Sequence, residues 1–297
     1  MNEQKLIIYV GGGAMAGVFG AGVLYALAEQ KVYDKVEAIY GVSAGAMDAA
    51  YFLSEQKEIG PSIYCEDLTH HFLYPGNLLK EIWQIFKYHF FHKLFKKKAN
   101  VIDIDYVMQL VTGKKRLDID KVFDNKPELF IQVFNLDSEK TEFIKTNKDN
   151  IFNLLRATIC VAPLWWGVAQ IGNSNYLDGA IKDPLVIEYL IKSYPDRKIV
   201  VILNERFHTI YNRKRKIIFW ISGILTSWMH GKNLLRYYRK NVEEVRRAVE
   251  IAEKNKNVIL VMPSLKDQIS FSTSKENVLA EALRDGKTQG CKVLNVI

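Results

Sequence analysis

Residues 198–204 read KIVVILN, a near-continuous apolar run. A strand of that composition is covered on both faces, which is the mark of a parallel sheet held between helices. The rest of the chain is expected to be built the same way. Lys5–Val10, Val36–Tyr40, Leu129–Asn135 and Asn257–Met262 are further short β-rich runs, and Asn175–Leu177 is a shorter one. Thr141–Lys145 is expected to pair with the strand before it as a hairpin. Between these runs lie helical stretches: Val18–Gln30, with Val23, Leu24, Leu27 and Ala28 on one side, then Ala46–Leu53, Ile151–Thr158, and a charged helix over 232–255. Asp183-Pro184 reads as an N-cap and first helical position, opening a helix that runs to about Ser193. Thr273 and Glu276 read as a capping box for a C-terminal helix. Strands alternating with helices predict an α/β fold with a mainly parallel sheet. No internal repeat or linker interrupts the 297 residues, so one domain over 1–297 is expected. Its motif-bearing core would span about 5–204, with a helical insertion at about 76–112 and a C-terminal helical and strand segment over 205–297.

The strongest chemical signal is Gly41-Val42-Ser43-Ala44-Gly45, a G-x-S-x-G sequence between the strand VEAIY and the helix AMDAAYFL. A serine on such a strand–turn–helix junction is forced into a sharp turn that exposes its hydroxyl. Small residues at Gly41 and Gly45 let strand and helix approach closely. The helix N-terminus then sets backbone N–H groups beside the hydroxyl, ready for negative charge. Ser43 is the candidate nucleophile.

A second glycine-rich turn, Gly11-Gly12-Gly13-Ala14-Met15-Ala16-Gly17, also follows a strand and opens a helix. Its glycines fall at 11, 12, 13 and 17, which is not the dinucleotide spacing, and no Lys-Ser/Thr of a phosphate loop follows. The remaining chemical use of such a loop is an oxyanion hole, which complements a nucleophile. A third block, Asp178-Gly179-Ala180, ends a short strand; it is either a plain Asp-Gly turn or an acid placed to serve the serine.

Together the blocks GGGAMAGVFGAGVL, GVSAG and DGA resemble the patatin-like phospholipase family, in its bacterial branch, in order and spacing from about residue 5 to residue 204. The resemblance implies a three-layer α/β sandwich with a central, mostly parallel sheet. It implies hydrolysis of acyl esters of phospholipids and related lipids by a Ser-Asp dyad, with no metal and no cofactor. Carried over by motif, Ser43 is the nucleophile and Asp178 the general base, while Gly12, Gly13 and the Ala44 N–H form the oxyanion hole. Two positions depart from the family pattern. Ala16 stands where many family loops carry Arg or Lys, and Ala14 where a third glycine is common.

Two rival readings of the same residues remain. A histidine-dependent esterase or thioesterase would follow the order Ser43, Asp178, then His208 or His230. A lipid-binding pseudoenzyme would keep the fold without the turnover. Charge adds a surface. Residues 78–98 carry six lysines against Glu81, and 213–240 carry eight Lys/Arg and no acid, in a chain of net charge +8. Both segments interleave that charge with Trp, Phe, Tyr, Ile and Leu, which suits peripheral contact with an anionic membrane or solvated faces of core helices. Leu79, Ile82, Trp83, Phe86 and Phe90 have helical spacing, and Trp165 and Trp166 are candidates to line an acyl pocket or to pack in the core. Nucleic acid is not an expected partner, because it leaves the serine turn unexplained. The 13 residues Ile217–Met229 would make a helix of about 20 Å, short of a bilayer core. Three scattered cysteines fit a reducing compartment, and a cytoplasmic location is expected.

Overall fold

The computed structural model describes residues 5–74, 79, 82, 83, 100–125, 127–206, 213–264 and 269–297. In chain order its main elements are β1 (Leu6–Val10), α1 (Gly17–Glu29), β2 (Val36–Gly41), α2 (Ala44–Leu53), β3 (Glu128–Asn135) and β4 (Lys140–Lys145). Then come α3 (Ile151–Thr158), β5 (Ala169–Ile171), β6 (Ser174–Asp178), α4 (Ile187–Ser193) and β7 (Lys198–Ile202). The chain closes with α5 (Arg213–His230), α6 (Leu235–Lys254), β8 (Val258–Val261) and α7 (Glu276–Leu294). The strands form one sheet in the order β5-β6-β3-β2-β1-β7-β8, with β4 also on β3. The β1–β2, β2–β3, β1–β7 and β7–β8 pairs are parallel, and β4, β5 and β6 pair antiparallel at one end.

Period-2 alternation explains the layers. Leu6, Ile8 and Val10 of β1 join a core built with α1, α2, α3 and α7, whereas Ile7 and Tyr9 join a second core with α4 and α6. All five residues of β1 are buried. The result is a helix–sheet–helix sandwich of the expected α/β class, and the apolar run at 198–204 is its doubly covered strand.

The helix Ala46–Leu53 of the sequence reading begins two residues earlier, at Ala44, directly after the serine. The stretch 76–112 is not one helix, since residues 100–103 are not helical and Ile102 bridges Leu73. The spacing of Phe86 and Phe90, like most of 78–98, lies outside the described residues. Asp183 does not cap α4. The helix starts at Ile187 without a side-chain cap, and the Asp183 carboxylate accepts instead from the Thr141 hydroxyl. Nor do Thr273 and Glu276 form a capping box. The N-cap of α7 is Lys275, while Thr273 Oγ1 accepts from the Ser270 N–H in the preceding turn. In both cases a nearby polar partner captured the side chain that a local pattern had assigned to the helix.

The helix α7 packs along α1 through paired glycines. A Cβ on Gly286 would fall 2.2 Å from the Phe19 carbonyl oxygen, and one on Gly22 would fall 2.5 Å from that of Leu283. The backbones therefore touch, and the last helix of the chain backs the helix that leaves the first glycine loop.

Candidate active site

The two strands that carry the candidate residues meet on one edge of β3. Residues Ala38–Gly41 of β2 pair with Glu128–Ile131, and Tyr176–Asp178 of β6 pair with Asn135–Val133. The hairpin strand β4 covers Phe130–Asn135, overlapping both sets. A strand has only two edges, so β2 and β6 share the other one. Because β2 runs parallel and β6 antiparallel to β3, their C-terminal ends face each other, with Gly41 opposite Ile131 and Asp178 opposite Val133. Ser43 and Asp178 are thereby brought together from positions 135 apart in sequence.

Ser43 sits at φ 55°, ψ −127°, a region costly for a residue with a Cβ. The turn is held there by backbone. A Cβ on Gly45 would lie 2.3 Å from the Val10 oxygen, and one on Gly41 would lie 2.5 Å from the Ala46 Cα. The Ser43 N–H donates to Thr158 Oγ1 at 2.8 Å, and that hydroxyl donates on to the Gln132 carbonyl at 2.8 Å. Ser43 and Asp178 are both buried. The Asp178 carboxylate accepts from the Ala180 N–H at 2.8 Å, and the Ser43 hydroxyl lies close enough to favour its charged form. Burial is the larger influence: it pushes the Asp178 pKa up to about 6, against the opposing pull of the Ala180 N–H and the Ser43 hydroxyl.

The glycine loop borders the serine. A Cβ on Gly12 would stand 3.1 Å from Ser43 Cβ, while one on Gly13 would meet Asn204 Cβ at 3.1 Å. Asn204 braces this loop from the end of the β7 run. Its amide donates to the carbonyls of Gly11 at 2.7 Å and Gly12 at 3.2 Å, and its oxygen accepts from the Gly20 N–H at 2.9 Å. Ala14, at a position where glycine is common in the family, has φ 47°. The left-handed conformation that glycine supplies freely is thus kept here with an alanine. Ala16 is fully buried, with its Cβ against Gly13.

Three residues that hold the site carry no motif: Gln132, Thr158 and Asn204. Gln132 is fully buried and donates to the carbonyls of Gly179 at 3.0 Å and Asp183 at 2.6 Å, fixing the Asp178 turn. The only available signal was a polar residue inside or at the end of an otherwise apolar run: LFIQVFN, KIVVILN and the last residue of IFNLLRAT.

An apolar cavity of about 60 Å³ opens beside Ser43, walled by residues such as Ala14, Met47, Ile63, Ile102, Val107 and Ile159. Trp165 and Trp166 are not part of its wall. Trp165 is buried in the main core under the Arg156 guanidinium, and Trp166 packs with Leu225 and Met229. Of the histidines, His70 and His71 lie on the short helix Leu68–His71, neither of them in the wall of the cavity, and His230 ends α5. His208 lies outside the described residues. The basic segment at 213–240 is partly neutralised. Arg215 pairs with Glu205, Lys216 with Glu243 at 2.6 Å, and Arg236 with Glu139 at 2.5 Å.

The chain is thus a mixed α/β sandwich with a strained serine at a strand–helix turn, beside a buried carboxylate and a glycine loop. The family model for patatin-like phospholipase matches residues 8–191. The chain belongs to that family, whose members are lipid acyl hydrolases. It is also similar to the uncharacterized protein YjjU of Escherichia coli strain K12, with 21% identity over 253 residues. That alignment covers 83% of this chain and 65% of the relative, so the chain spans less than two thirds of the relative's length. Among solved structures, the crystal structure of VipD from Legionella pneumophila overlays with a TM-score of 0.48 at 12% identity, covering 99% of this chain and 67% of that one.

Proposed function

We propose that this chain is a serine hydrolase of lipid acyl esters that works through an acyl-enzyme on Ser43, with Asp178 as its base. The observation that carries the reading is the placement of a serine in a strained turn beside a buried carboxylate whose pKa is raised to about 6. Raising the pKa strengthens a carboxylate as a base while leaving it ionised at neutral pH. In the reaction, Asp178 takes the Ser43 hydroxyl proton as the oxygen attacks the ester carbonyl. The N–H groups of Gly12, Gly13 and Ala44 receive the oxyanion. Asp178 then returns the proton to the departing alcohol, and water releases the acid by the reverse sequence. The apolar cavity beside Ser43 suits the acyl chain, and its modest volume favours short or narrow chains.

The test is labelling with a fluorophosphonate and assay on a generic ester. Ser43→Ala should lose both labelling and turnover while keeping its fold, and mass spectrometry should find the probe on Ser43. Substantial hydrolysis by purified Ser43→Ala protein would overturn the mechanism. Hydrolysis lost on replacing His208 or His230, as fully as on Asp178→Asn, would favour the triad.

Peripheral membrane contact belongs to the same reading. No helix of the described residues is long and apolar enough to cross a membrane. The helix α5 exposes Ile217, Ile218, Trp220 and Ile221, while its neighbouring Arg215 and Lys216 are already paired. Docking there should be carried more by aliphatic and indole insertion than by charge. Co-sedimentation with anionic vesicles should survive high salt and be lost in Ile217→Glu/Ile218→Glu; unchanged partitioning of the double variant would reject this face. A cytoplasmic location accords with the free Cys65, Cys160 and Cys291.

A further inference from the structure

One face of α2 does more than follow the serine. Ala44, Met47, Asp48 and Tyr51, at spacings of three, four and seven, all line the apolar cavity. Three of them suit a hydrocarbon chain, and the fourth is an aspartate only 3% exposed. The Tyr64 hydroxyl donates to Asp48 Oδ1 at 2.9 Å, and among the described residues Oδ2 has no hydrogen-bond partner. The Tyr64 hydroxyl fits into the space left by Gly17, 2.6 Å from where a Cβ there would stand. Burial raises the Asp48 pKa well above the usual carboxylate range, with the Tyr64 hydrogen bond opposing it, so the uncharged acid is favoured. A buried oxygen left unpaired costs about 1–3 kcal/mol, a cost that leucine at this position would avoid. Asp48 also borders a second cavity, but at about 10 Å³ that space is at the lower limit for a single water. Room for a larger partner lies on the acyl side.

We propose that Asp48 and Tyr64 form a polar subsite inside the acyl pocket, which selects acyl chains bearing a hydroxyl a few carbons from the ester carbonyl. The inference rests on the reading of this cavity as the acyl site. Ala44 to Asp48 spans about 6 Å along the helix axis, which places the subsite roughly one turn beyond the reacting serine. A hydroxyl both donates and accepts, so it can pair with Oδ2 in either protonation state of the acid. An unsubstituted chain leaves that oxygen unpaired against methylenes. A site built to bind a ligand hydroxyl discriminates against the analogue that lacks it.

The test uses free acids and the Ser43→Ala protein, so that it does not depend on turnover. Octanoate and a series of hydroxyoctanoates, with the hydroxyl moved along the chain, are titrated by calorimetry. At least one positional isomer should bind about 10-fold tighter than octanoate, the worth of one net hydrogen bond. Asp48→Leu should abolish or reverse the preference for the hydroxylated chain over octanoate, and Asp48→Asn should keep part of it. Octanoate binding as tightly as every isomer, a preference that survives in Asp48→Leu, or no binding of any acid would each overturn the subsite. Hydrolysis of the matching nitrophenyl esters by the Ser43 protein is read separately. Absent hydrolysis with the binding preference intact would sink the serine mechanism and leave the subsite standing.

Discussion

The two strand-to-helix turns that build the site lie at the ends of adjacent strands, yet they are held by different means. At the serine turn the glycines are imposed by backbone: a side chain on Gly45 or Gly41 would run into main-chain atoms of the neighbouring strand or helix. At the glycine loop the nearest atoms to Gly12 and Gly13 are side-chain carbons of Ser43 and Asn204, and the loop keeps its shape through hydrogen bonds from Asn204. The first turn is part of the fold's close packing. The second is a braced loop that can be perturbed without dismantling the sheet.

That contrast is broken most severely at Gly45. Gly45→Ala should cost more than about 4 kcal/mol, at the extreme of single substitutions, and show up as lost soluble protein or a collapsed urea midpoint. A folded, active Gly45→Ala protein would mean that the serine turn is no more rigid than the loop.

Next in size is Asp178→Asn, expected to lower kcat by about 10³-fold, or about 4 kcal/mol. Its stability should move the other way. An acid whose folded pKa is raised from 3.8 to about 6 contributes nothing adverse below the lower value and its full penalty above the upper one. At about 1.4 kcal/mol per unit this amounts to about 3 kcal/mol. Asp178→Asn should therefore be more stable than the parent in alkaline buffer, with the gain vanishing in acid. Chemical denaturation across pH measures it, and kcat/KM of the parent should rise through pH of about 6 as the base ionises.

The smallest effect is expected at Asn204. Asn204→Ala strands two loop carbonyls and the Gly20 N–H, which should cost about 1–3 kcal/mol in stability. Turnover should fall by about 10-fold, through kcat more than KM, if the loop serves the oxyanion. A change in KM alone would show that the loop only positions substrate.

The sheet and the chemistry-bearing turns were legible in the sequence because both depend on short-range patterns. A doubly buried strand must be apolar throughout, as at 198–204, and a serine turn wedged between strand and helix must carry small neighbours, as at Gly41 and Gly45. What could not be read was which of several possible partners would take a polar side chain. Asp183 and Thr273 look like helix caps until Thr141 and the Ser270 turn take their hydrogen bonds. Gln132, Thr158 and Asn204 look like stray polar residues until the sheet places them under the site. The family pattern at Ala14 was readable, but not that an alanine would adopt the same left-handed turn.

The shared edge of β3 has a consequence for how such a chain can change length. Between Ser43 and Asp178 the polypeptide runs through short helices and a hairpin, yet the reach from one residue to the other is counted out by Ile131, Gln132 and Val133 alone. Insertions in the loops of that long excursion leave this ruler untouched. One residue added or lost beside Gln132 would slide the two strand ends by about 3.3 Å and turn one of them to the opposite face. The reach between the two residues is thus set at three positions, whatever the length of the loops between them.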